Sequence, residues 1–228
     1  KSSVLFDAGL SASPLAANGP RPGIDFESLD AVVVSHGHYD HTGGIEWVLG
    51  KCSRAKVFLH SGAIITRFSL REGSQPASVG MPEACVAAVR RAAGRVVWTA
   101  GHTEVAEGVH VTGPIPRENP VESPTHCFFL DAQGETPDEI SDDQALWLRS
   151  RAGTVAILGC THAGVANTLG HVSRQAGDNR VYAVIGGMHL GSADEAQVQA
   201  AAQALRRHEV QVLAPCHCTG KRAQAILE

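Results

Sequence analysis

Apolar residues along this chain gather in short runs, and most of the runs show no polar alternation. They are VLFD (4–7), AVVV (31–34), KVFLH (56–60), RVVWT (95–99), VHVTG (109–113), HCFFL (126–130), ALWLRS (145–150), TVAIL (154–158), RVYAVI (180–185) and VQVLAP (210–215). Runs of this length, rich in Val and Ile and bounded by Gly, Pro or polar residues, predict strands without a wet face. ALWLRSRAGTVAIL joins two of them through Arg151, Ala152 and Gly153, which predicts a hairpin.

Between the runs the period lengthens. In MPEACVAAVRRAAG, Pro82 stands where a first helical residue would and Gly94 where a helix would stop. SADEAQVQAAAQALRRHE sets Ser192 and Glu195 at capping-box spacing. Val198, Ala201, Ala202 and Leu205 then share one face. IEWVL, AGVANTLGHVSRQAG and KRAQAILE are shorter helical candidates. The stretch 114–144, rich in Pro, Glu and Asp, reads as a long surface excursion around one short strand. Strands mixed with helices throughout predict an α/β fold with a mixed sheet, in one domain over residues 1–228.

Composition narrows the partners. The 228 residues, 43% hydrophobic, can bury a core of ordinary size. The net charge is −4 and no block of Lys and Arg stands out, so no nucleic acid and no anionic membrane is expected as partner. No apolar run reaches the length of a membrane-spanning helix. The six cysteines form no compact secreted framework, which predicts reduced thiols and a cytoplasmic location. KSSVLFDAGL does not read as a signal peptide, and its abrupt start on a strand suggests that a natural N-terminal segment is missing.

The candidate chemistry lies just past the strands. AVVVS delivers His36, TVAILG delivers Cys160 and His162, VYAVIGGM delivers His189, and VQVLAPC delivers His217 between Cys216 and Cys218. Strand ends in layered α/β folds fix a side chain while the following loop exposes it. The densest stretch is SHGHYDHTGG. Extended, it points His36, His38 and Asp40 to one side and His41 to the other unless the chain turns. Its TGG supplies flexible residues for a turn into a helix. Such a segment could give His36 and His38 to one metal, and Asp40 and His41 to a second. Imidazole and carboxylate suit zinc, iron or manganese. His60, His102, His110, His126, His171 and His208 read as ordinary surface or core residues. Asp7 is placed to hydrogen-bond a ligand histidine. Arg71, Arg117 and Lys221 could meet a substrate anion, but each reads first as a solvated charge.

SHGHYDHTGG resembles the H-x-H-x-D-H signature of the metallo-β-lactamase superfamily. LFDAGLS, GCTHAGVANT, GGMHL and PCHCTG are similar to the branch of metal-dependent hydrolases that includes archaeal dihydropterin–ribofuranosylaminobenzene phosphate synthases. The resemblance spans Val4 to Thr219. It implies an αββα four-layer sandwich with the metal site at one edge between two β-sheets. Residue by residue, it makes His36 and His38 ligands of the first metal, Asp40 and His41 ligands of the second, and His217 the closing histidine. His162, after the strand that follows the hairpin, is expected as a further ligand. Cys160 is a candidate for the bridging position, where most of the superfamily carries an aspartate. Asp7 matches a structural aspartate, and the opening strand is absent or shortened.

The activity expected first is that of a metallohydrolase. Two zinc ions, with manganese or iron as alternatives, would activate a water that attacks an ester or phosphoester of a small anionic substrate. Asp40 would position metal and nucleophile, and His189, Cys160 or a water would protonate the leaving group. A second reading is a synthase, joining a phosphorylated ribose-aminobenzene to a pterin diphosphate through a carbon–carbon bond. A third is a non-catalytic, metal-containing ligand-binding protein. Oxygen- or nitric-oxide-reducing chemistry is not expected, because His38 stands where those members carry Glu.

Overall fold

The computed structural model describes residues 2–122 and 127–227. Its strands are β1 (Val4–Phe6), β2 (Ala31–Val33), β3 (Lys56–Leu59), β4 (Phe68–Ser69), β5 (Ala77–Ser78), β6 (Val96–Trp98), β7 (Thr103–Ala106), β8 (Val109–Val111), β9 (Phe128–Phe129), β10 (Leu146–Ser150), β11 (Gly153–Leu158), β12 (Val181–Gly187) and β13 (Val212–Cys216). Its helices are α1 (Ala12–Asn18), α2 (Tyr39–Thr42), α3 (Ile45–Lys51), α4 (Glu83–Arg91), α5 (Val165–Ala176), α6 (Glu195–Arg207) and α7 (Lys221–Leu227). The described residues fall into two compact units. One lies within Lys1–Ala100, Val105–Glu107 and Thr125–Asp142, the other within Gly101–Glu104, Gly108–Pro124 and Asp143–Glu228.

The first unit carries a four-stranded sheet in the order β1-β2-β3-β6, with every pairing parallel. Parallel neighbours need crossover connections. Here α3 lies between β2 and β3 in the chain, and α4 between β3 and β6. Val32, Val34, Val57 and Leu59 pack with Ile45 and Val48 of α3 and Cys85 and Val89 of α4. Full burial of each such aliphatic side chain contributes about 1.5–3 kcal/mol. A small antiparallel sheet, β5-β4-β9, completes this unit.

The second unit carries a mixed sheet ordered β13-β12-β11-β10-β8-β7, with the residues of β7 divided between the units. β11, β12 and β13 are parallel, while β10 pairs antiparallel with β11 and β8. The expected hairpin is present, closing at Ser150 and Gly153. Ala156, Leu158 and Val184 meet Leu169 and Val172 of α5 and Val198, Ala201 and Leu205 of α6. The small and β-branched residues read from the sequence as strand and helix faces thus become one core.

Several boundaries differ from expectation, for local reasons. Pro82 has ψ 143 and is the N-cap of α4, so the helix begins at Glu83. The capping box of α6 pairs Asp194 with Gln197, not Ser192 with Glu195. Both pairs satisfy the spacing, and the Asp carboxylate brings full negative charge to the helix N-terminus. His126, where the run 126–130 begins, lies outside the described residues. The end of the supposed surface excursion is buried: Asp138, Ile140, Asp142, Asp143 and Gln144 all lie in the interior. Among the described residues no helix is long and apolar enough to cross a membrane.

Candidate metal centre

In the first unit the site grows from the ends of β1 and β2. Their parallel pairing sets Asp7 beside Ser35. Ser35 donates to the Asp7 carboxylate through its backbone N–H and its hydroxyl, each at 2.7 Å. His41 Nδ1 lies 2.6 Å from the same carboxylate. With its Nδ1 proton donated to Asp7, His41 keeps the Nε2 lone pair for a cation. That Nε2 lies 3.7 Å from Asp40 Oδ2. Next to this pair, His36 Nε2 and His38 Nδ1 are 3.0 Å apart. Both separations can be spanned by one ion with ligand bonds of about 2.0–2.2 Å. The stretch therefore offers two donor pairs, divided as its spacing suggested.

The chain achieves this by turning. Tyr39–Thr42 forms the single turn α2 with His38 as N-cap, and the Thr42 hydroxyl donates to the His38 carbonyl at 2.9 Å. His41 is thereby brought round to the same cluster, with its ring centroid 4.4 Å from that of His36. The glycines that follow serve space, not torsional freedom. Gly43 and Gly44 have ordinary helical φ of −65 and −93. A Cβ on them would stand 1.9 Å from the Leu10 carbonyl oxygen and 2.3 Å from that of Ala8. Burial, and after it the Arg67 guanidinium, push the His38 imidazole down to about 3, so it stays neutral with a lone pair to offer.

In the second unit three parallel strands deliver donors at their C-terminal ends. Cys160 and His162 follow β11, His189 follows β12, and His217 follows β13. The ligand atoms of Cys160, His162 and His189 lie within 4.8 Å of one another, and those of Cys160 and His217 do so as well. Cys160 is therefore common to both groupings. Each of these strand ends holds a non-glycine residue in the left-handed region: Thr161 (φ 64), His189 (φ 50) and His217 (φ 53). Asp7 (φ 62) does the same after β1. Such residues cost free energy and persist where surrounding contacts over-determine them. Here the Thr161 hydroxyl donates to the Gly187 carbonyl at 2.6 Å, and the Ala163 N–H to Asp143 at 2.7 Å. Gly187 must be glycine, since a Cβ there would stand 2.4 Å from the Gly159 carbonyl oxygen.

Sequence reasoning missed several supporting groups. Cys218 Sγ accepts from the His189 N–H at 3.3 Å. A hydrogen bond with Cys160 holds the Cys218 thiol below the usual range, against the opposing effect of burial. Arg117, read as a solvated charge, is half-buried and donates to the His162 carbonyl at 2.5 Å. Glu122 caps α5 by accepting from the Ala166 and Asn167 N–H groups, and burial raises its carboxyl. Arg71 and Lys221 are exposed, as expected. Among the other histidines, His60 caps a short turn, His208 faces the Asn179 carbonyl, and His102 and His110 stack on Trp147.

A family model described as a beta-lactamase superfamily domain matches residues 2–218. The 7,8-dihydropterin-6-methyl-4-(β-D-ribofuranosyl)-aminobenzene-5'-phosphate synthase of Methanocaldococcus jannaschii is 27% identical over 229 residues, covering 98% of this chain and 78% of that protein. MJ0448, an uncharacterized protein of the same organism, is 26% identical, with 96% and 80% covered. The crystal structure of Tm1679, a metal-dependent hydrolase of the beta-lactamase superfamily, superposes with a TM-score of 0.80 at 30% identity, covering 98% of this chain and 81% of that one. The match to a synthase overturns the metallohydrolase expected first from the sequence. That expectation failed for a chemical reason: the H-x-H-x-D-H array reports cation binding, not which bond is made or broken. With the family match over residues 2–218, this chain belongs to the beta-lactamase superfamily and has the metallo-β-lactamase α/β fold.

Proposed function

We propose that the protein is a metal-dependent transferase of pterin chemistry, joining a phosphorylated ribofuranosyl-aminobenzene to the 6-methylene carbon of a dihydropterin diphosphate. The observation that carries this is the 27% identity to the synthase across 98% of the chain. The product named for that relative links a pterin 6-methyl group to an aminobenzene. The arylamine nitrogen is the nucleophile of such a substrate. The bond formed is then carbon–nitrogen rather than the carbon–carbon bond expected earlier. The carbon–oxygen bond to diphosphate breaks, and the amine loses one proton.

His36, His38, Asp40 and His41 of the first unit and His162 and His217 of the second are the proposed ligands, and Cys160 would be a further donor. A donor set of imidazole, carboxylate and thiolate suits zinc, with iron or manganese as substitutes. Two bound divalent ions would supply positive charge for the departing diphosphate. Asp7 and Ser35 orient His41, and the Cys218 thiol holds the backbone of His189. His189 takes the proton released by the arylamine. The partners proposed are small molecules, with no nucleic acid or membrane, and the free cysteines fit a cytoplasmic setting. The test is incubation of the zinc-loaded protein with both substrates, following coupled product by mass and diphosphate by release. Stoichiometric appearance of both supports the reading. Metal-loaded protein that forms neither refutes it.

A further inference from the structure

Among the described residues Arg67 is the largest fully buried side chain, 1% exposed, and nothing in the proposed reaction uses it. It sits between two carboxylates of the same unit. Its Nε lies 2.8 Å from Asp138 Oδ2. Its Nη1 donates to Asp142 Oδ2 at 3.0 Å, and its Nη2 pairs with Asp142 Oδ1. Asp142 is itself fully buried. Its Oδ2 also accepts the backbone N–H of Gly37 at 2.7 Å. Gly37 is the residue between His36 and His38.

The same segment grips the other side of His38. The Arg67 carbonyl accepts from the Val79 N–H at 2.9 Å, and the Val79 carbonyl accepts from the Tyr39 N–H at 3.0 Å. The N–H groups of both residues flanking His38 are thus tied to Arg67, that of Gly37 through Asp142 and that of Tyr39 through Val79. Backbone strain marks the turn that delivers Asp142. Ile140, between the two carboxylates, has φ 51, an outlier for a β-branched residue, and its N–H donates to Asp138 at 2.8 Å.

A buried triad of this kind is a poor device for stability, since apolar residues of similar volume serve as well or better. It is a good device for fixing a backbone. We infer that Arg67 and Asp142 are positioning residues: they hold the His36–Gly37–His38 backbone in ligating geometry and so set the affinity of the cation bound there. The inference rests on the reading that His36 and His38 ligate a metal.

Asp142→Asn is the direct test. An amide cannot serve all three donors facing this carboxylate, so either the Gly37 bond or the Arg67 fork is lost. Asp138→Asn is the control, because it disturbs Arg67 without touching Gly37. Cobalt is the probe, by chelator competition and by the visible spectrum of the loaded protein. Asp142→Asn is expected to weaken one of the two cobalt-binding steps by about 10–100-fold and to alter its spectrum. The other step, and both steps in Asp138→Asn, stay within about threefold of the parent, below that outer-shell range. Should Asp142→Asn fail to fold, Arg67→Lys, which keeps the charge but not the fork, carries the test by the same criterion. Unchanged affinities, or equal weakening of both steps, overturn the inference while the parent still binds cobalt. A parent protein that takes up no cobalt overturns the metal reading and this inference with it.

Discussion

Asp7→Asn separates the carboxylate of Asp7 from everything else that residue does. Asp7 occupies the left-handed region, with φ 62. Asn tolerates that conformation well, so the backbone is not disturbed. What changes is the acceptor set. Asp7 receives the Ser35 N–H, the Ser35 hydroxyl and His41 Nδ1, at 2.7, 2.7 and 2.6 Å. If the amide nitrogen faces His41, donor meets donor. His41 then changes tautomer, and its Nε2 carries a proton where a cation would bind. If it faces the Ser35 N–H instead, that bond is lost. A hydrogen bond to a charged group is worth about 1.5–3 kcal/mol, so metal affinity at the Asp40–His41 pair should fall about 10–100-fold. The assay is zinc titration against a chelator of known affinity, resolving two binding steps. One step should weaken by that factor while the other holds. Two unchanged steps would refute the claim that Asp7 orients His41 for a metal.

Further predictions follow from the same geometry. Gly37→Ala places a Cβ 2.3 Å from the Ala63 carbonyl oxygen, a collision with backbone. It should destabilise the fold by about 1–3 kcal/mol, read by urea unfolding, and lower zinc affinity in the chelator titration. Leu169→Ala empties a fully buried position in the second unit's core and should cost about 2–5 kcal/mol in the same unfolding assay, without changing zinc affinity. The His38 imidazole is depressed from 6.5 to about 3 in the folded chain. The unfolded chain therefore gains a proton below about pH 6.5 that the folded chain refuses until about pH 3. Stability of the metal-free protein should fall as pH drops through that window. Urea midpoints should show a smaller fall in His38→Gln, and an equal fall in both proteins contradicts the assignment.

Much of the fold was legible because its cues are local and redundant. TVAIL and RVYAVI are largely apolar because β11 and β12 are central strands of a sheet whose crossovers are α5 and α6. SHGHYDHTGG was legible because its four ligand-type residues lie within six positions, and the fold brings them together as two donor pairs. Asp7 was legible as a partner for a histidine, and His41 is that partner. What stayed hidden depends on tertiary placement. TPDEISDD reads as solvated acid, yet Asp138 and Asp142 are buried because Arg67, some seventy residues earlier, pairs with both. GG after HYDHT reads as flexible residues for a turn. Here Gly43 and Gly44 are glycine because the Leu10 and Ala8 carbonyls approach them, which spacing cannot reveal. Arg117 looked solvated for the same reason: its acceptor, the His162 carbonyl, is distant in sequence. The reaction itself was misjudged, because ligand chemistry constrains the ion and leaves the transferred group open.

The central claim is that the paired donors hold metal for a synthase reaction. Its most direct measurement is a zinc titration of the metal-free protein in the presence of the dihydropterin diphosphate and the ribofuranosyl-aminobenzene phosphate, with bound zinc and coupled product recorded at each addition. The account predicts no product without metal and product that rises with occupancy, saturating when the donor pairs are filled. Product formed equally well by the metal-free protein, or none from the fully loaded protein, would contradict it.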